Sequence, residues 1–152
     1  MEYKIQTYSA INLVGISLHT SYKNSIEDIP KLWEEFNKAD LSSSILDKKS
    51  NEVYAVYYDY ESDFKGSYHF FIGHEVDKTS IVVAPFKKLE IPEQKYAVFS
   101  VKGDFPNCLI DAWESIWEAD IDRKYTFDFE KYAENSNLDD SNPELDVYIS
   151  IK

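Results

Sequence analysis

The sequence predicts an α+β fold: two βαββ units related by a pseudo-two-fold, with antiparallel sheet carrying two main helices and a central cleft between the halves. Three observations lead there. Apolar residues recur at helical spacing in two segments, Ile29-Leu32-Trp33-Phe36 and Leu109-Ile110-Trp113-Ile116-Trp117. Each segment follows a strand-like run and precedes at least two more. The two helical segments also align weakly, Ile29-Pro-Lys-Leu-Trp-Glu-Glu-Phe36 against Ile110-Asp-Ala-Trp-Glu-Ser-Ile-Trp117, as a duplication would leave them. No linker separates the halves, so residues 1–152 read as a single domain with one shared core.

The first half opens with alternation at Tyr3, Ile5 and Thr7, then an extended run from Ala10 to Leu18. Gly15 inside that run predicts a bulge or a close backbone approach. Ser25-Ile-Glu-Asp28 has the composition of a capping box, and Pro30 fits a first helical turn. The helix ends near Asp40, before a polar loop from Ser42 to Asn51. Glu52 to Tyr60 and Ser67 to Glu75 read as a hairpin around a Glu61–Gly66 turn. Strand alternation sends Tyr58 and Tyr60 to one face and Tyr57 to the other, and keeps Tyr68 and Phe70 together. Ser80 to Leu89 is extended, with Pro85 marking an edge or a bulge.

The second half repeats the order. Lys95 to Lys102 is a strand, and Asp104 or Phe105 caps a helix with Pro106 in its first turn. Tyr125 to Tyr132 is a strand with Phe127 and Phe129 on one face and Asp128, Glu130 and Tyr132 on the other. Asn135 to Asn142 is a polar loop. Leu145 to Ile151 closes the fold with its odd-numbered residues on one face.

Composition narrows the function. A formal net charge of −12 argues against nonspecific nucleic-acid binding and against docking on an anionic membrane, and it suits a cationic ligand. The N-terminus lacks a signal peptide and no stretch is long and apolar enough to span a bilayer, so a reducing cytoplasm is the expected home. Cys108 is the single cysteine, which rules out an internal disulfide and reads as a small buried thiol. Aromatic residues reach 16%, led by 12 Tyr, as half-wet pockets or ordinary β-rich sheets require.

Motifs for catalysis or metal binding are lacking. The glycines at 15, 66, 73 and 103 are scattered singly, so no phosphate loop exists. His69 and His74 lie five apart on one strand, which turns them to opposite faces. No catalytic residue, metal ligand or cofactor is assigned. Glu130 stands out instead, in the run Phe127-Asp-Phe-Glu-Lys-Tyr132. A carboxylate among aromatic rings suits a lipophilic cation, because ring faces attract the charge and the carboxylate neutralises it. The same burial suits a general acid or base. A solvated strand face fits the residues as well, and the sequence leaves these open.

Several stretches together resemble the GyrI-like small-molecule-binding superfamily. They are Ile29 to Phe36, Val53-Tyr-Ala-Val-Tyr-Tyr-Asp-Tyr60, Gly66 to Val76, Lys95 through Gly103, Ile110 to Trp117, Asp128-Phe-Glu-Lys-Tyr132 and Asp146 to Ile151. Members include effector-binding domains of AraC-type and MerR-type multidrug-responsive regulators, and stand-alone proteins. The resemblance implies the duplicated fold with a central aromatic cleft, and an acidic residue that meets cationic lipophilic ligands, which maps to Glu130. Two departures stand out: Ala55 replaces a frequent glycine, and Ala119-Asp120-Ile121 replaces a Trp-Leu-Pro after the second helix. No helix-turn-helix precedes the first strand, so direct DNA contact is not expected.

The first reading is a stand-alone binding domain for small lipophilic, cationic molecules, linked to transcription regulation or drug response. Tyr57, Tyr68, Phe70, Trp113 and Trp117 supply the ligand-binding walls and Glu130 the countercharge. The resemblance also implies two alternatives. One is a hydrolase of reactive electrophiles in which Glu130 activates water. The other is a protein-binding inhibitor of the gyrase-inhibitor kind, whose acidic surface mimics DNA.

Overall fold

The computed structural model describes residues 2–38, 41–63, 65–77, 82, 84–133 and 144–152. Eight strands and three helices follow in the order β1 (Lys4–Tyr8), β2 (Ile11–Ser21), α1 (Ser25–Lys38), α2 (Leu41–Ser44), β3 (Val53–Tyr58), β4 (Ser67–Glu75), β5 (Lys87–Ile91), β6 (Gln94–Val101), α3 (Asn107–Glu118), β7 (Phe127–Tyr132) and β8 (Leu145–Ser150). The strands form one antiparallel sheet in the order β1-β6-β8-β7-β3-β4-β2-β5. Exchanging each strand for the one four places away in the chain reverses this order onto itself. That palindrome is the duplication, and its centre is the β3–β7 pair.

The two halves trade edges. β1 precedes the first unit but pairs with β6 of the second, and β5 precedes the second unit but pairs with β2 of the first. Only Ser9-Ala10 joins β1 to β2, and only Pro92-Glu93 joins β5 to β6. Each link reaches at most ~11 Å. In a flat sheet the strands it joins would stand ~29 Å apart, six strand spacings away. The sheet must therefore curl until its ends approach.

That curl buries a face that no described helix covers. Leu13, Tyr54, Val56, Phe71, Tyr96, Phe129 and Tyr148 pack inside it, with Phe129 and Tyr148 stacked at 4.4 Å. The outer face carries the larger cluster, where Leu32 and Phe36 of α1 and Ala112 and Ile116 of α3 are buried. Gly15 and Gly73 are register partners on β2 and β4. A Cβ on either would overlap the carbonyl beside the other, so the expected close approach at Gly15 is real.

Several local expectations need correction. Ser25 is no cap: it lies inside α1 and its hydroxyl donates to the Tyr22 carbonyl, while the Asn24 carbonyl accepts from Glu27 and Asp28. Pro30 consequently falls in the second turn, where it removes a bond to the Ile26 carbonyl. Pro106 occupies the cap of α3 instead of its first turn. Part of the expected polar loop is helical, as α2. Ala84-Pro85 forms a turn, and the edge strand begins only at Lys87; residues 80, 81 and 83 of the expected extended run lie outside the described residues. The expected 135–142 loop also lies outside them. Among the described residues no helix is long and apolar enough to cross a membrane.

Candidate functional site

The cleft lies where the halves meet. α1 and α3 flank the outer face of the central strands, leaving a hollow of about 510 Å³ between them. That size fits a drug-sized ligand. Ile29 of α1, Trp113 and Trp117 of α3, Tyr57 of β3 and Tyr68 of β4 form its walls, and Glu130 of β7 lies at its base. A second hollow, of about 490 Å³, is lined by Glu52, Lys102, Lys131, Glu144 and Asp146, with no aromatic wall among the described residues.

Local structure aims the side chains. Glu130 stands opposite Ala55 in the β3–β7 register. Ala55 is fully buried, and its small side chain leaves room for the carboxylate. Glu130 Oε2 accepts from Tyr57 Oη at 2.7 Å and Trp113 Nε1 at 2.9 Å, and Oε1 accepts from Tyr132 Oη at 2.7 Å. All three donors are neutral. Burial pushes the Glu130 carboxyl above its ordinary range, and the bonds from Tyr132, Tyr57 and Trp113 pull it back. Burial, and next the adjacent carboxylate, hold the phenols of Tyr57 and Tyr132 well above the tyrosine range, so both stay protonated donors.

A second carboxylate lies two residues earlier. Asp128 Oδ2 accepts from Tyr60 Oη at 2.6 Å and Arg123 Nη2 at 2.8 Å. Its Oδ1 accepts from the Ser150 backbone N at 2.7 Å and Oγ at 3.0 Å. Asp128 is thus paired with a cation and bonded on both oxygens. Among the described residues Glu130 has no cation among its partners, so its buried carboxylate lacks the compensation that Arg123 gives Asp128.

Strand alternation misplaced Tyr60. β3 ends at Tyr58, and Asp59 adopts φ 51°, which rotates the chain and returns Tyr60 to the face of Tyr57. Tyr58 remains on the inner face, stacked on Phe127 at 5.8 Å.

The expected wall residues divide by role. Tyr57 meets Trp113 at 5.1 Å and Tyr68 at 5.8 Å between ring centroids, so these three converge beside Glu130. Phe70 is fully buried behind Tyr57, at 5.0 Å, and backs the wall without forming its surface. The α3 apolar stripe is wider than a core needs. Trp117 is 36% exposed and Ile110 51% exposed, both at the cleft mouth, where Tyr22 packs on Trp117 at 5.9 Å. Tyr22, Tyr60, Asp128 and Arg123 also line or support the cleft, and the sequence reading names none of them as a site residue. Asp128 shares the face of Glu130 by parity, which was the available signal; Arg123 carried none.

The histidines lie elsewhere. His69 and His74 face opposite sides of β4, as their spacing requires. His74 Nδ1 donates to the Glu52 carbonyl at 2.8 Å, which leaves Nε2 to accept from Ser42 Oγ at 2.6 Å. Burial lowers its pKa, consistent with a neutral structural ring.

The family model for Cass2, described as integron-associated effector binding protein, matches residues 4–151. The chain is 30% identical over 147 residues to YobU of Bacillus subtilis, which carries a provisional transcriptional-regulator name; the match covers 91% of this chain and 90% of YobU. It is 28% identical over 158 residues to the transcriptional regulator BrlR of Pseudomonas aeruginosa, covering 99% of this chain but 56% of BrlR. The chain thus spans about half the length of that relative.

Among solved structures, an integron cassette protein from the mobile metagenome of Vibrio cholerae matches with a TM-score of 0.76 at 25% identity, over 99% of this chain and 95% of that one. SAV2435, solved bound to tetraphenylphosphonium, matches with a TM-score of 0.81 at 18% identity, over 100% of this chain and 94% of that one. The SAV2435 likeness is one of fold alone.

Proposed function

Because the chain belongs to the integron-associated effector binding protein family and has a GyrI-like fold, we propose that its inter-helix cleft binds small lipophilic cations. The observation that carries this reading is Glu130. It is 1% exposed, bonded among the described residues by neutral donors alone, and set at the base of an aromatic hollow. A buried carboxylate without a cationic partner is costly. A ligand that brings a delocalised positive charge and apolar bulk relieves that cost and covers the rings.

The tetraphenylphosphonium carried by SAV2435 is a cation of this kind and supports the choice of probe. The names of YobU and BrlR support a link between occupancy of the cleft and control of transcription.

Calorimetry with tetraphenylphosphonium and the uncharged triphenylphosphine oxide tests the reading. The cation is expected to bind with at least about tenfold higher affinity, a difference of ~1.4 kcal/mol. Equal affinities would remove charge from the selection, and no binding of either would remove the cleft as their site.

A further inference from the structure

Arg123 lines the same cleft as Glu130 and is 8% exposed. Its Nη2 donates to Asp128 at 2.8 Å. Its Nε and Nη1 are buried without a hydrogen-bond partner among the described residues. Asp128 is already occupied by Tyr60 and Ser150 on its remaining positions. The Tyr125 ring lies 4.3 Å from the guanidinium carbon, a contact that offers its π face but no oxygen. Guanidinium N–H groups point outward in the plane of the group and seek oxygen acceptors. Leaving them buried and unmatched carries a penalty that an arriving acceptor removes.

We propose that Arg123 forms a hydrogen-bond donor subsite beside the Glu130 carboxylate, so that the cleft prefers lipophilic cations that also carry a carbonyl oxygen. The two poles have a fixed relation. Arg123 is tied to Asp128, and Asp128 and Glu130 are next neighbours on one face of β7, on the order of 7 Å apart along the strand. A ligand whose positive centre faces Glu130 therefore reaches Arg123 with an oxygen several bonds away. A symmetric cation without acceptors uses only one pole. This inference rests on the cleft being the ligand site.

The test uses two phosphonium probes of equal chain length. One is triphenylphosphonium bearing an ethyl butanoate chain; the other bears a plain heptyl chain. Both are titrated into the wild-type protein and into Arg123→Lys, which keeps a cation for Asp128 but loses the planar fork. The ester probe is expected to bind wild type about tenfold more tightly than its alkyl partner, and Arg123→Lys to erase that gap. Equal binding of the two probes by the wild type overturns the subsite while the cleft reading stands. Failure of both to bind overturns the cleft reading itself. Because the wild-type comparison decides alone, an unfolded variant does not rescue the proposal.

Discussion

Tyr57 and Glu130 are diagonal neighbours across the β3–β7 pair, and the phenol of one donates to the carboxylate of the other at 2.7 Å. The bond crosses the centre of the duplication and joins residues from different halves. Ala55, directly opposite Glu130, supplies the space for it.

Glu130→Gln is expected to weaken tetraphenylphosphonium by about tenfold or more and to leave triphenylphosphine oxide nearly unaffected. The carboxamide keeps the shape and removes the charge. Calorimetry on both ligands decides: equal losses would mean that Glu130 acts through structure.

Cation affinity should also depend on pH. The Glu130 carboxyl is raised above its ordinary value of 4.5, chiefly by burial. Protonation neutralises it, so affinity falls as pH drops through the raised pKa and is level above it. Stability runs the other way. A raised carboxyl pKa favours the protonated form in the fold, so this group's contribution is complete below 4.5 and is lost as pH rises through the raised value. Glu130→Gln removes both slopes. Binding and denaturation titrations across weakly acidic pH check the pair of signs.

Trp113 acts twice, as a wall and as a donor. Trp113→Ala should weaken an aromatic cation by ~1–3 kcal/mol. Trp113→Phe keeps an aromatic face but removes the N–H, so the pH midpoint for binding should move upward. An unmoved midpoint would show that this donor does not tune the carboxylate.

Asp128→Ala should cost about 3–5 kcal/mol of stability, because it strands the Arg123 guanidinium in the interior. Urea unfolding measures the loss. A loss under 1 kcal/mol would show that water or another group takes over the cation.

Gly73→Ala should destabilise by about 3 kcal/mol or more, since the new methyl overlaps the Val14 carbonyl across the ladder. The same denaturation experiment reads it. A stability equal to wild type would mean that β2 and β4 separate easily at this point.

The sequence made some of this legible and not the rest, for physical reasons. Period and parity revealed the two helices and placed Glu130 with Tyr132, because those depend only on local geometry. Ile29, Leu32, Trp33 and Phe36 had to share a face once α1 formed. Tyr60 escaped because one left-handed residue, Asp59, breaks the period that alternation assumes. Arg123 escaped because its meaning depends on Asp128 and Tyr125, which the fold brings around it in space. Ile110 looked like core because hydrophobicity alone does not distinguish a buried stripe from the lip of an apolar pocket.

The exchange of β1 and β5 between the halves changes what a half-molecule could be. A fragment ending after β4 would offer β2 an unfilled flank and carry β1 with no mate. The complementary fragment would have the same defect in mirror order. Two such pieces, mixed, could each supply the other's missing border, and a single piece could do so only with another copy of itself. The continuous chain is thus organised as two arm-trading partners tied end to end, with the ligand seat on the seam that both must be present to make.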